Sequence, residues 1–88
     1  MNHIPPKLRL QLAEDPYYSK CARAGSYCSG RITWEHALLY ANRQIQARFA
    51  IIPLCWYHHL GEGLDKRVNK AIAMGRMTAA DKLKYPRL

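Results

Sequence analysis

Arg31-Ile32-Thr33-Trp34-Glu35, followed by His36, alternates polar and apolar side chains and carries β-branched residues, the pattern of a half-buried strand. After a connection comes Ile51-Ile52-Pro53-Leu54-Cys55-Trp56-Tyr57-His58-His59. The apolar run Ala50 to Leu54 reads as a second strand, and Pro53, which has no N–H to give, places it at an edge or ends it. Cys55 and His58 then stand in a C-x-x-H spacing at the start of a helix, where positions i and i+3 share a face and can grip one ion. Cys21 and Cys28 form a second pair, separated by six residues, wider than the two to four usual in zinc sites. Soft or borderline ligands in two pairs are the donor set of a structural zinc ion. The competing reading is three buried thiols used as small apolar groups. An odd cysteine count argues against a disulfide framework, and the chain has no C-x-x-C redox pair.

Composition explains why a metal would matter. A chain of 88 residues buries roughly 64% of its extended surface, so its core is thin and gains from a staple. Fourteen Lys and Arg against six Asp and Glu give a net charge of +8, a field suited to a polyanion. Nucleic acid is the first candidate partner and an anionic membrane surface the second. No apolar run is long enough for a membrane span, and Met1 to Pro6 lack the apolar stretch of a secretory signal. A cytoplasmic protein is the expectation.

Around the two strands, the rest of the chain reads as helix and loop. Pro5-Pro6 opens a short helix through Glu14, which Asp15-Pro16 ends. Residues 17 to 30 read as an irregular loop, and 37 to 48 as a short helix or ordered loop with Leu38, Leu39, Ile45 and Phe49 turned inward. Leu64, Val68, Ala71 and Ile72 predict the apolar stripe of a helix that stops near Gly75. Thr78-Ala79-Ala80-Asp81 is a capping box with Asp in place of Glu, opening a last short helix. The expected organisation is a single domain: an arm over 1–16, a core over 17–76 and a tail over 77–88.

His59 lies about 100° round a helix from His58, so it should meet a different neighbour. Glu35-His36 at the end of the first strand is the obvious one. A carboxylate and two imidazoles can hold a divalent cation and leave one histidine as a base. On a regular strand Glu35 and His36 point to opposite faces, so they converge only where the strand ends or bends.

In order and spacing, residues 21 to 59 resemble the HNH endonucleases. Those enzymes have a cysteine pair, a strand ending in Asp-His, a loop, and a strand ending Leu-Cys-x-x-Cys-His as a helix begins. The resemblance implies an α+β fold: a small zinc-stabilised ββα-metal core of two short antiparallel strands and a helix, with flanking N- and C-terminal helices. It implies His36 as general base, Glu35 and His59 as ligands of a catalytic Mg²⁺ or Mn²⁺, and Cys21, Cys28, Cys55 and His58 as ligands of a structural Zn²⁺. His58 replaces the family's usual cysteine, and Glu35 its aspartate. The middle asparagine of the family, expected just before the second strand, is replaced by Phe49 or Ala50, so His36 needs another group to orient it.

Arg43, Arg48, Lys66, Arg67, Lys70 and Arg76 are candidate DNA-binding residues, each equally readable as part of a solvated face. Five tyrosines (Tyr17, Tyr18, Tyr27, Tyr40, Tyr57) with Trp34 and Trp56 can stack on unpaired bases or complete a small core. The leading expectation is a DNA endonuclease of weak sequence preference, of a style suited to a phage- or prophage-encoded protein. A second copy of the chain is a candidate partner, since one active site cuts one strand. The alternatives are an inactive zinc-stabilised nucleic-acid-binding module and a basic adaptor that docks on an acidic protein.

Overall fold

The computed structural model describes residues 4–23 and 27–88; the loop reading at 24–26 and the reading of residues 1–3 lie outside the described residues. Among the described residues, four helices and two small antiparallel sheets make an α+β arrangement. Strand β1 (Ile32–His36) pairs with the distant β4 (Ile51–Cys55), Ile32 opposite Cys55 and His36 opposite Ile51. Between them β2 (Leu39–Tyr40) and β3 (Arg43–Gln44) form a hairpin.

All five residues of β4 are buried, because both of its faces are covered. Ile51 packs with Ile4, Leu12 and Tyr18, on the side of helix α1 (Pro6–Ala13). Ile52 and Leu54 pack with Leu38, Ile45, Phe49 and Ala73. Each such aliphatic side chain contributes roughly 1.5–3 kcal/mol on burial, so this one strand anchors both halves of the core. Pro53 fits because its carbonyl faces away from β1 and accepts from the Ala22 N–H at 2.7 Å. Its missing N–H is thus on the side where no ladder bond is needed.

The connection over 37–48 is a hairpin followed by a 3-10 turn (Arg48–Ala50), and not a helix. Leu38, Ile45 and Phe49 are buried as expected, but Leu39 is exposed. The two-residue turn Ala41-Asn42 has positive φ at both positions, 53° and 64°, as the twist of a tight hairpin requires. Alanine is a poor residue for that conformation. Replacing Ala41→Asn together with Asn42→Gly is expected to stabilise the chain by about 1 kcal/mol, a rise in Tm of about 5 °C by calorimetry.

After the short helix α2 (Trp56–His59), helix α3 (Lys66–Gly75) is capped by Asp65, whose side chain accepts from the N–H groups of Arg67 and Val68. Its inward residues are Asn69 and Ala73, whereas Leu64, Val68 and Ala71 are exposed. The buried face is therefore rotated by about one residue, roughly 100°, from the apolar stripe. Ala73 sets the close approach of α3 to β4 and the 48–50 turn. Helix α4 (Ala79–Lys84) opens on the expected capping box: Asp81 N–H donates to Thr78 Oγ1, and Thr78 N–H to Asp81 Oδ2.

Candidate metal centre

Cys55 ends β4 and caps α2, so His58 comes one turn later on the same face. The segment holding Cys28 is tied alongside: Trp56 N–H donates to Arg31 O and Tyr57 N–H to Ser29 O, both at 3.1 Å. Cys21 is fixed by the neighbouring Ala22–Pro53 bond. The sulfurs of Cys21, Cys28 and Cys55 lie 3.5, 3.7 and 3.2 Å from His58 Nδ1. All four ligand atoms fall within 4.8 Å of one another. A tetrahedron with Zn–S near 2.3 Å and Zn–N near 2.0 Å has S···N edges of about 3.5 Å. The donor set and its spacing therefore fit zinc, and this Cys3His group can hold it. Cys21, Cys55 and His58 are buried and Cys28 is exposed.

Burial pushes the Cys55 thiol up, but backbone N–H groups of His58 and Ser29 and the side chains of His58 and Cys21 outweigh it, holding the thiol down at about 6. At neutral pH Cys55 is thus already a thiolate, the form that binds metal. Gly30 lets the Cys28 segment approach α2: its φ is +83°, and a methyl group there would lie 2.6 Å from Trp56 Cβ. Gly30→Ala is expected to cost about 2–4 kcal/mol in a urea melt, through both strain and overlap.

His59 turns away from this centre, as its place on α2 demands. Its Nδ1 lies 2.5 Å from Thr33 Oγ1, which itself donates to Leu54 O at 2.9 Å. The single hydroxyl proton of Thr33 is committed to that carbonyl, so His59 Nδ1 is the donor to Thr33. His59 Nε2 lies 3.5 Å from Glu35 Oε1. Thr33 and Glu35, two apart on β1, share the face that meets His59. A carboxylate and an imidazole nitrogen brought together here suit either an imidazolium ion pair or a divalent cation between them.

His36 has the other strand parity but is the last residue of β1. Its Nε2 lies 2.9 Å from Gln46 Oε1, a partner ten residues on that sequence reading did not single out. With Glu35, Lys66 and Asn69 it lines a cavity of about 350 Å³. His36 also borders a second cavity of about 340 Å³ with Arg9, Arg31 and Trp34. Glu35 thus meets His59 on one side and shares a cavity wall with His36 on the other, while the cluster of three or more metal-ligating side chains found among the described residues is the Cys3His group alone.

The basic candidates divide. Arg43, Lys66, Arg67 and Lys70 are exposed, and Arg48 lies 3.8 Å from Asp15. Arg76 is engaged within the chain: its guanidinium stacks 3.8 Å over the Tyr17 ring and donates to Tyr18 Oη at 2.6 Å. Burial raises the Tyr18 phenol, which Arg76 opposes. Trp34 packs edge-on against Tyr18 and donates to its carbonyl, whereas Trp56 is half exposed. None of the described helices is long and apolar enough to cross a membrane.

Fold and site together define a small α+β chain with a Cys3His group able to hold a metal ion. No protein-family model, curated protein or solved structure matches it.

Proposed function

We propose that this chain is a metal-dependent DNA endonuclease of HNH type, its β1–β4 pair and α2 serving as a zinc-stabilised ββα-metal core. The observation that carries the reading is the meeting of Glu35 with His59 at 3.5 Å beside His36, itself tethered by Gln46. A carbonyl oxygen can only accept, so His36 donates Nε2–H to Gln46 and keeps its lone pair on Nδ1. Nδ1 takes a proton from a water as that water's oxygen bonds to phosphorus and the bond to the leaving sugar oxygen breaks. Gln46 thereby supplies the orienting contact that the absent asparagine would give. Mg²⁺ or Mn²⁺ held by Glu35 and His59 would neutralise charge on the phosphate and the leaving oxygen. Thr33 fixes the His59 ring so that Nε2 faces Glu35. The net charge of +8 draws in DNA without selecting sequence.

The test is nicking of supercoiled plasmid by the zinc-loaded chain with Mg²⁺ or Mn²⁺. Metal-dependent nicking that weakens as salt rises is expected. Salt-sensitive DNA binding without cleavage of plasmid, branched or single-stranded DNA would leave a binding module instead. Absence of both would point to a basic adaptor.

A further inference from the structure

Asn69 is an unexpected residue for the middle of α3. Asparagine is a weak helix former there, and this one is 2% exposed. Neither its Nδ2 nor its Oδ1 has a hydrogen-bond partner, the only such buried side chain among the described residues. Buried amides left unpaired are costly, and where they persist they call for a partner that enters from outside. Asn69 stands in the wall of the 350 Å³ cavity that Glu35 and His36 also line. Lys66, three residues earlier and on the same face of α3, lines it too.

We propose that Lys66 and Asn69 form a phosphate-holding wall of this cavity, Asn69 Nδ2 donating to a non-bridging oxygen of the DNA backbone. This deepens the nuclease reading and rests on it. The donor set selects an anion: an ammonium and an amide NH₂ come from one helix face, while Glu35 is turned toward His59. The helix N-terminus itself is not the source of attraction, since Asp65 occupies the N–H groups of Arg67 and Val68. Asn69 Oδ1 remains to accept from a water accompanying the phosphate.

The experiment compares wild type, Asn69→Leu, Asn69→Asp and Lys66→Ala as full, zinc-loaded chains. Each is measured by thermal melting, by fluorescence anisotropy on a short duplex in Ca²⁺, and by plasmid nicking in Mg²⁺. Leucine keeps the branched skeleton of asparagine and removes its unpaired groups but is bulkier, so Asn69→Leu should melt within a few degrees of wild type. It should nevertheless bind DNA about tenfold more weakly and nick correspondingly less. Asn69→Asp should bind more weakly still, because it sets a negative charge against the phosphate. Unchanged DNA affinity in Asn69→Leu overturns the proposal, as does tighter Mn²⁺ binding by Asn69→Asp, which would make position 69 a cation ligand. If Asn69→Leu does not fold, Asn69→Asp and Lys66→Ala decide in the same way. If inorganic phosphate raises the Tm of wild type but not of Asn69→Leu while DNA affinity is equal, the ligand is a free anion and the DNA assignment falls. Should wild type bind DNA without nicking it, the nuclease reading fails separately, and the variants' affinities still decide the role of Asn69.

Discussion

His36→Ala is expected to lower plasmid nicking by a factor of about 10²–10⁴ while zinc content and melting temperature stay near wild type. The imidazole is half-buried at the end of β1, and its hydrogen-bond partner Gln46 is exposed, so its removal opens no sealed cavity. A smaller loss is expected for Gln46→Leu, which leaves the base in place but removes the acceptor that fixes its ring. The order wild type, Gln46→Leu, His36→Ala in nicking rate, at equal stability, is the signature of a base with a separate orienting group. Equal activity in wild type and His36→Ala would move the chemistry elsewhere or expose a contaminant.

Removing the metal is expected to unfold the chain. Structural zinc in comparable small sites is worth about 10–16 kcal/mol of apparent binding energy, as much as or more than the whole stability of an ordinary domain. Cys55→Ser should therefore abolish the cooperative melt seen by circular dichroism, and a strong chelator should do the same to wild type. Cys28→Ser, at the exposed corner of the site, should be milder and leave a weakened transition. The pH dependence has a definite sign. The Cys55 thiol is held down to about 6, so its contribution is fully present above the ordinary thiol range and is lost as pH falls through about 6. Bound zinc competes with the proton for that thiolate, so zinc release followed with a chromophoric chelator should rise only as pH falls below about 6. A chain that keeps its melt after complete zinc removal would show the thiols to be mere core groups.

How much was legible from sequence depends on the range of the interaction. The strands 32–36 and 51–55 were readable because alternation in one and a continuous apolar run in the other are local patterns. The capping box and the Cys55–His58 pair were readable for the same reason, since short spacings carry their chemistry, whereas Cys21 and Cys28 meet His58 only across 37 and 30 residues. The hairpin over 39–44 was not, because Ala41-Asn42 lacks the glycine that ordinarily announces such a turn. The inward face of α3 was misread because Leu64, Val68 and Ala71 make an apolar stripe that the fold leaves outside. Packing of Ala73 against β4 overrides that pattern, and an asparagine within a run of helix formers was the one available hint. Thr33 and Gln46 entered only with the structure: their partners lie 26 and 10 residues away, and no motif links them.

Two consecutive histidines, back to back on one turn, face different neighbours: His58 the three sulfurs, His59 the carboxylate of Glu35. On the proposed function this adjacency works as a logical AND. A cell short of zinc would disarm the chain even when magnesium is plentiful, because loosening His58 also loosens the aim of His59. Magnesium could not compensate, since a thiolate-rich cage does not suit it. A potentially damaging DNA-cutting activity would thus stay silent in newly made chains until the first ion had been acquired and the turn between the two centres had set.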